Sequence, residues 1–190
     1  DQFRATLLTH ADDQMRLEAA VALAETKTPS SFDLLLLVLE DTSQPLFLRS
    51  ACAWAIGCHG TKRAAECLVR AFGDVAPEIR EEALSAVAAL GTVGVDPLVK
   101  GLSDAPDVAA GSAEALRRLR GVAVENIAAL AESSGGAWPT WTLAHLPKEA
   151  VVPHIAALQS KRPDVHFAVT VLWTFLESWI AENWTPRATP

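Results

Sequence analysis

Tyrosine is absent from the 190 residues, and aromatic side chains make up only 6% of them. A chain this poor in aromatics, and dominated instead by Ala and Leu, favours helix over sheet. Cysteine is scarce as well. Cys52, Cys58 and Cys67 form an odd set without a Cys-x-x-Cys pair, which excludes a disulfide framework and a zinc ribbon. Cys52 and Cys67 stand among Ala and Leu, where Cys packs as a small hydrophobe, so a reduced, cytoplasmic protein is expected.

Basic charge is also short. The formal net charge is −7, and residues 1–135 carry 19 acidic against 12 basic side chains, while residues 136–190 carry 4 of each. Such a surface repels phosphate on average and disfavours a nucleic-acid partner. No Gly-rich phosphate loop and no nucleophile elbow is present, so no catalytic residue is assigned. The five His are followed by Ala, Gly, Leu, Ile and Phe, never by Glu, and no two stand at metal-ligand spacing. Neither a metal nor a cofactor is expected. No apolar run is long enough for a membrane span, because the longest apolar segment, near the C-terminus, is broken by His166, Glu177 and Glu182. The chain opens at Asp1 rather than Met, without a signal-peptide pattern, which reads as a fragment or a processed form.

What the sequence does contain is a repeat. Leu48-Arg49 leads an Ala-rich run to Gly57, a short joint to Gly60 and a second apolar run to Asp74. Ile79-Arg80 leads a similar run to Gly91, a joint to Gly94 and a further run to Asp104. Aligning the turns on Ala24, Gly57, Gly91 and Gly121 gives spacings of 33, 34 and 30 residues, with small or apolar columns at Ala19, Cys52, Ala86, Leu116 and at Ala22, Ala55, Ala89, Leu119. About a dozen residues per helix plus two joints make an antiparallel pair of roughly 30 to 35 residues, which must stack on its neighbours to cover its apolar face. The expectation is an all-α solenoid of such pairs.

Four units are placed at about Asp12–Glu40, Ser43–Phe72, Pro77–Leu102 and Pro106–Ala131. Asp12 or Asp13 is expected to cap the first helix of unit one, Ser30 or Ser31 its second, and Thr61 the second helix of unit two. Asp96-Pro97 reads as a cap followed by Pro at the first helical position. Gln2 to Thr9 reads as the end of a preceding helix. Ser133-Ser134-Gly135-Gly136 marks a composition break, after which five of the six Trp occur. Residues 1–134 are therefore assigned to the repeats and 135–190 to a degenerate, Trp-rich helical cap.

The Leu48-Arg49 and Ile79-Arg80 pattern with its paired glycines resembles the HEAT repeat, most closely the short bacterial variety also found in phycobilisome lyases. The resemblance covers about residues 10–132. Tetratricopeptide repeats fit less well, since their Tyr positions cannot be met. The resemblance implies a HEAT-like superhelix whose second helices line the concave face where partners dock. By position that face presents Lys62, Arg63, Glu66 and Arg70, then Asp96 and Lys100, then Glu125 and Asn126. It also implies structural roles for Arg49 and Arg80, in contacts to acidic residues between units. The function expected is a non-catalytic protein-interaction scaffold with a protein partner. A bilin-lyase-like chromophore-binding subunit is the alternative, followed by a HEAT-like DNA glycosylase.

Two further features stand out. Trp138 and Trp141, three apart, read as core residues or as an aromatic platform. The last helix, expected over Val165–Glu182, has one apolar stripe at Ala168, Leu172, Phe175, Leu176 and Trp179 and another at Val165, Val169 and Trp173. If only one stripe packs inward, the other, with Trp173, is a docking or self-association surface.

Overall fold

A computed structural model describes residues 2–120, 122–134, 136–161 and 166–183. Among them lie twelve α-helices and two short 3-10 segments, without a strand. Two compact units are formed, residues 1–119 and 120–190. The stretch 133–136 therefore joins two helices inside the second unit. The compact division falls earlier than the composition break, because Val124, Ile127, Ala128 and Ala131 of the intervening helix are buried and that helix packs on the two that follow.

The first unit holds α1 (Gln2–Thr9), α2 (Asp13–Thr26), α3 (Pro29–Glu40), α4 (Leu46–Cys58), α5 (Lys62–Arg70), α6 (Pro77–Ala89), α7 (Val95–Gly101) and α8 (Pro106–Arg118). α2 packs on α3 and α4 on α5, while α2, α4, α6 and α8 follow one another as first helices, each touching the next. The caps explain the boundaries. Asp12 accepts from the Gln14 amide, and Thr61 accepts from the Ala64 amide, as their side-chain chemistry requires. α3 begins earlier than expected: Thr28 is its cap, Pro29 its first residue, and Ser31 closes a reciprocal capping box. Asp96 is not a cap, since a 3-10 turn over Gly91–Gly94 already leads into α7 at Val95.

Backbone conformation corrects the repeat register. The left-handed residues that end the first helices are Lys27, Gly60, Gly91 and Arg120, spaced 33, 31 and 29 residues. The same offsets bring Arg16, Arg49, Arg80 and Ala109 into one column. They also align the buried residues Ala19, Cys52, Ala83 and Ser112, and Leu23, Ile56, Val87 and Leu116. Gly57 is thus not a turn residue. It lies inside α4, where a Cβ would stand 3.0 Å from the Ala86 Cβ, so its job is close helix approach. The fourth turn expected at Gly121 falls outside the described residues.

The Arg column joins successive pairs. Arg16 donates from Nε to the Leu7 carbonyl at 3.0 Å and reaches the Gln44 amide oxygen. Arg49, only 2% exposed, donates from Nε to the Leu39 carbonyl at 2.9 Å and forms an ion pair with Asp74. Leu7 is to Arg16 what Leu39 is to Arg49, so α1 occupies the place of a second helix. Arg80 departs from the expected acidic contact: it donates to the Asp74 and Val75 carbonyls of its own preceding loop.

The second unit holds α9 (Val124–Ser134), α10 (Ala137–His145), α11 (Lys148–Lys161) and α12 (His166–Asn183). α10 touches α9, α11 and α12, and α11 touches α9 and α12. Pro153 sits inside α11, where it removes one backbone donor. Val165, where the last helix was expected to begin, lies outside the described residues. No described helix is long and apolar enough to cross a membrane.

Candidate functional site on the second helices

In the first unit, α5 lies beside α7, and α3 beside α5. The short, amphipathic α5 turns Ala64, Ala65, Cys67, Leu68 and Val69 inward, so Lys62, Arg63, Glu66 and Arg70 are left on one exposed side. Three of those four side chains are met by an opposite charge from the neighbouring repeat. Lys62 reaches Asp96 of α7 at 3.1 Å. Arg63 reaches Asp33 of α3 at 2.7 Å, and its guanidinium lies 4.4 Å from the centre of the Phe32 ring. Arg70 stands 3.9 Å from Glu40 of α3 and donates to the Cys67 sulfur at 3.3 Å. Glu66 and Lys100 are exposed on the same helices.

All three pairs are more than half exposed on both partners, so each contributes roughly 0 to 1 kcal/mol. They set the relative position of polar groups along the face more than they hold the fold. Asp33 and Glu40 had not been read as part of the site. Their signal is in the sequence, as a carboxylate one repeat before each of Arg63 and Arg70, but the opposition has meaning only once the repeat is known to stack.

At the C-terminal ends of α3 and α5 a cavity of about 230 Å³ is lined by Leu36, Leu39, Glu40, Cys67, Arg70, Ala71, Gly73 and Asp74. It joins an apolar floor to a charged rim. Burial raises the pKa of its Cys67 thiol despite the neighbouring Arg70, which disfavours the thiolate. Cys52 is deeper still and pushed up to about 12 by burial. Cys58 is raised by the same cause, and the adjacent His59 ring packs edge-on against Phe32. In the second unit, Glu125 and Asn126 line a separate cavity of about 290 Å³ with Ala150 and His154. Among the described residues no three His, Cys, Asp or Glu stand together as a metal site.

Residues 1–88 match the family model of HEAT repeats. This part of the chain is similar to HEAT repeats. The match includes α1 and ends within α6, so the matched segment contains Lys62, Arg63, Glu66 and Arg70 but not Lys100. No curated protein matches the sequence. Among solved structures, an engineered protein from a structural-genomics programme is 20% identical, with 98% of this chain and 100% of that one covered and a TM-score of 0.39. A designed armadillo repeat protein in complex with the peptide (KR)4 is 18% identical, with coverage of 92% and 98% and a TM-score of 0.38. Neither similarity bears on what this chain binds.

Outside the matched segment, the aromatic residues of the second unit reach the surface more than a core reading implied. Trp138 and Trp141 meet edge to face at 5.7 Å, and Trp141 stacks on His145 at 4.0 Å. Trp141 remains exposed because Pro139, Thr142 and Leu143 already supply the buried side of α10. Trp173 on α12 is 58% exposed. In the first unit Trp54 is exposed too, on a first helix that sequence reasoning had not considered as a surface.

Proposed function

We propose that the chain is a non-catalytic, cytoplasmic interaction scaffold whose protein partner docks along the second helices α3, α5 and α7. Lys62, Arg63, Glu66, Arg70 and Lys100 are the proposed contacts. The observation that carries this reading is the set of cross-repeat pairs Asp33–Arg63, Lys62–Asp96 and Glu40–Arg70. They present both signs of charge on exposed groups beside a cavity with an apolar floor. A partner segment carrying acidic and basic side chains can exchange these weak internal pairs for its own, while an apolar side chain enters between Leu36 and Leu39. Because the pairs are exposed, breaking them costs little stability, and binding can be tested apart from folding.

The test is an affinity capture from source lysate with the wild-type chain and with the double variant Arg63→Glu/Arg70→Glu. The variant is expected to keep its far-UV helicity and to retain the stoichiometric partner at least about tenfold less well. Equal retention by both chains removes this face from the site.

A further inference from the structure

The first helices α2, α4 and α6 sort their charges by sign. Their cations are Arg16, Arg49 and Arg80. Arg16 and Arg49 are buried, and Arg80 is half-buried and spent on the Asp74 and Val75 carbonyls. Their carboxylates stay outside. Glu18, Glu25 and Glu78 are exposed and Glu82 is half-buried, and none of the four has an ion pair among the described residues. Between α2 and α6 lies α4, whose outer side has no charge at all. Phe47 and Trp54, seven residues apart and so on one side of the helix, are 40 and 44% exposed, with Leu46 beside them at 45%. The repeat register sets Val21 of α2, 44% exposed, in the column of Trp54, Glu78 in that of Phe47, and Glu18 level with Glu82. An apolar strip is therefore bordered by Glu18 and Glu25 on one flank and by Glu78 and Glu82 on the other.

We propose that this first-helix face docks a basic amphipathic helix of a protein partner. The partner's apolar side lies along α4, and its Lys or Arg side chains on both flanks reach the carboxylates of α2 and α6. The inference is independent of the second-helix reading and concerns a different face. Charge selects the occupant. Carboxylates on both borders, with no outward base on these three helices, repel nucleic-acid phosphate, anionic lipid and acidic protein segments alike, and attract a cationic one. Of the cations that follow, Lys27 stands past the end of α2, and Arg118 of α8 is already paired with Glu81 and Glu114. Width agrees with charge. Packed helix axes lie about 8–10 Å apart, so the α2 and α6 borders are separated by roughly 20 Å. A helix about 10–12 Å across fits between them, and the long stems of Lys and Arg span the remaining distance over apolar surface.

The area is sufficient. Val21, Leu46, Phe47 and Trp54, at their exposures, offer on the order of 350 Å² of apolar surface, and the polar flanks contribute at least as much again. Together they approach the roughly 800 Å² per partner of a standard interface, with its apolar centre and charged rim. Trp54 stands at that centre, where aromatic anchors contribute most.

Fluorescence anisotropy tests this with the whole chain and a labelled helical peptide of about 18 residues, Leu along one side and Lys on both flanks. The wild type is expected to bind it with a Kd on the order of 10 μM at low salt, and more weakly as salt rises. Trp54→Ser and Glu78→Lys/Glu82→Lys, each with wild-type far-UV helicity, are expected to weaken binding at least about tenfold. The same charge change placed on the second unit, Glu149→Lys/Glu182→Lys, is expected to leave Kd within about twofold. A peptide with Glu in place of every Lys is expected not to bind. No binding of the Lys peptide overturns the proposal. An equal loss in the second-unit variant reduces the effect to net charge and overturns it, and so does equal binding of the Glu peptide. Capture of phosphatidylserine vesicles that is abolished by Trp54→Ser assigns the face to lipid and overturns it as well.

Discussion

At the scale of single residues, the tightest constraints are where a small side chain stands for a reason that packing alone reveals. Gly101 ends α7, and a Cβ there would lie 2.2 Å from Ser112 Oγ and 3.0 Å from a Val69 methyl. A Gly→Ala change in an open helix gains about 1 kcal/mol. Here overpacking costs about 1 to 3 kcal/mol and outweighs that gain, so Gly101→Ala is expected to lower stability in urea unfolding by a net of about 1 kcal/mol. Ser112 itself is fully buried and its hydroxyl has no hydrogen-bond partner among the described residues, so Ser112→Ala is expected to be neutral or stabilising by up to about 1 kcal/mol in the same measurement. His59 carries a different signature. Burial holds its pKa below the ordinary 6.5, and the Lys27 charge adds to this, against a hydrogen bond to the Leu23 backbone that pulls the other way. Below pH 6.5 the unfolded chain takes up this proton before the folded chain does. The contribution of His59 is therefore present at pH 7 and is lost progressively as pH falls toward the depressed folded value. Thermal unfolding between pH 7.5 and 5 should show a steeper loss for the wild type than for His59→Gln. Parallel curves would mean that the ring titrates as it does in water.

At the scale of elements, two kinds of charged contact join successive helix pairs, and burial separates them. Arg49 is inside, held by the Leu39 carbonyl and Asp74, whereas Lys62, Arg63 and Arg70 are outside. Removing one partner of a buried pair leaves an uncompensated charge, at a cost of about 3 to 5 kcal/mol. Arg49→Met is expected to lose that much in denaturant unfolding, and Arg49→Met with Asp74→Asn is expected to recover part of it. If the double variant is no better than the single one, the Asp74 charge is not what the substitution strands. The helices themselves were largely legible, because Ala, Leu and the caps Asp12 and Thr61 act locally. The start of α3 was misread because Ser31 closes the capping box rather than opening the helix, and the reciprocal bond with Thr28 decides between them. The two stripes of α12 were also visible in the sequence. Which residues are inward was not: Val171 is buried while Leu176 and Trp179 are exposed, because the buried side is set by where α10 and α11 touch the helix.

At the scale of the whole molecule, the sequence by itself determined that the chain is all-α, built of helix pairs near 30 residues long, and acidic in its repeated part. These follow from composition, hydrophobic period and the Leu48-Arg49 and Ile79-Arg80 pattern, all of which act over short stretches of chain. The polar second-helix residues were legible as a face for the same reason, since the period of α5 alone sets Lys62, Arg63, Glu66 and Arg70 to one side. What only the tertiary structure decided is everything that depends on stacking. The register moved from Gly57 to Gly60, because left-handed backbone marks the turn while Gly57 answers to Ala86 on the next repeat. The pairing of Arg63 with Asp33 and of Lys62 with Asp96 bridges residues 30 and 34 apart. The compact division at residues 119–120 reflects where the buried face of α9 finds its partners. Local chemistry selects a helix and its apolar side, but the free energy of burial belongs to pairs of surfaces, and a sequence read one segment at a time contains only half of each pair.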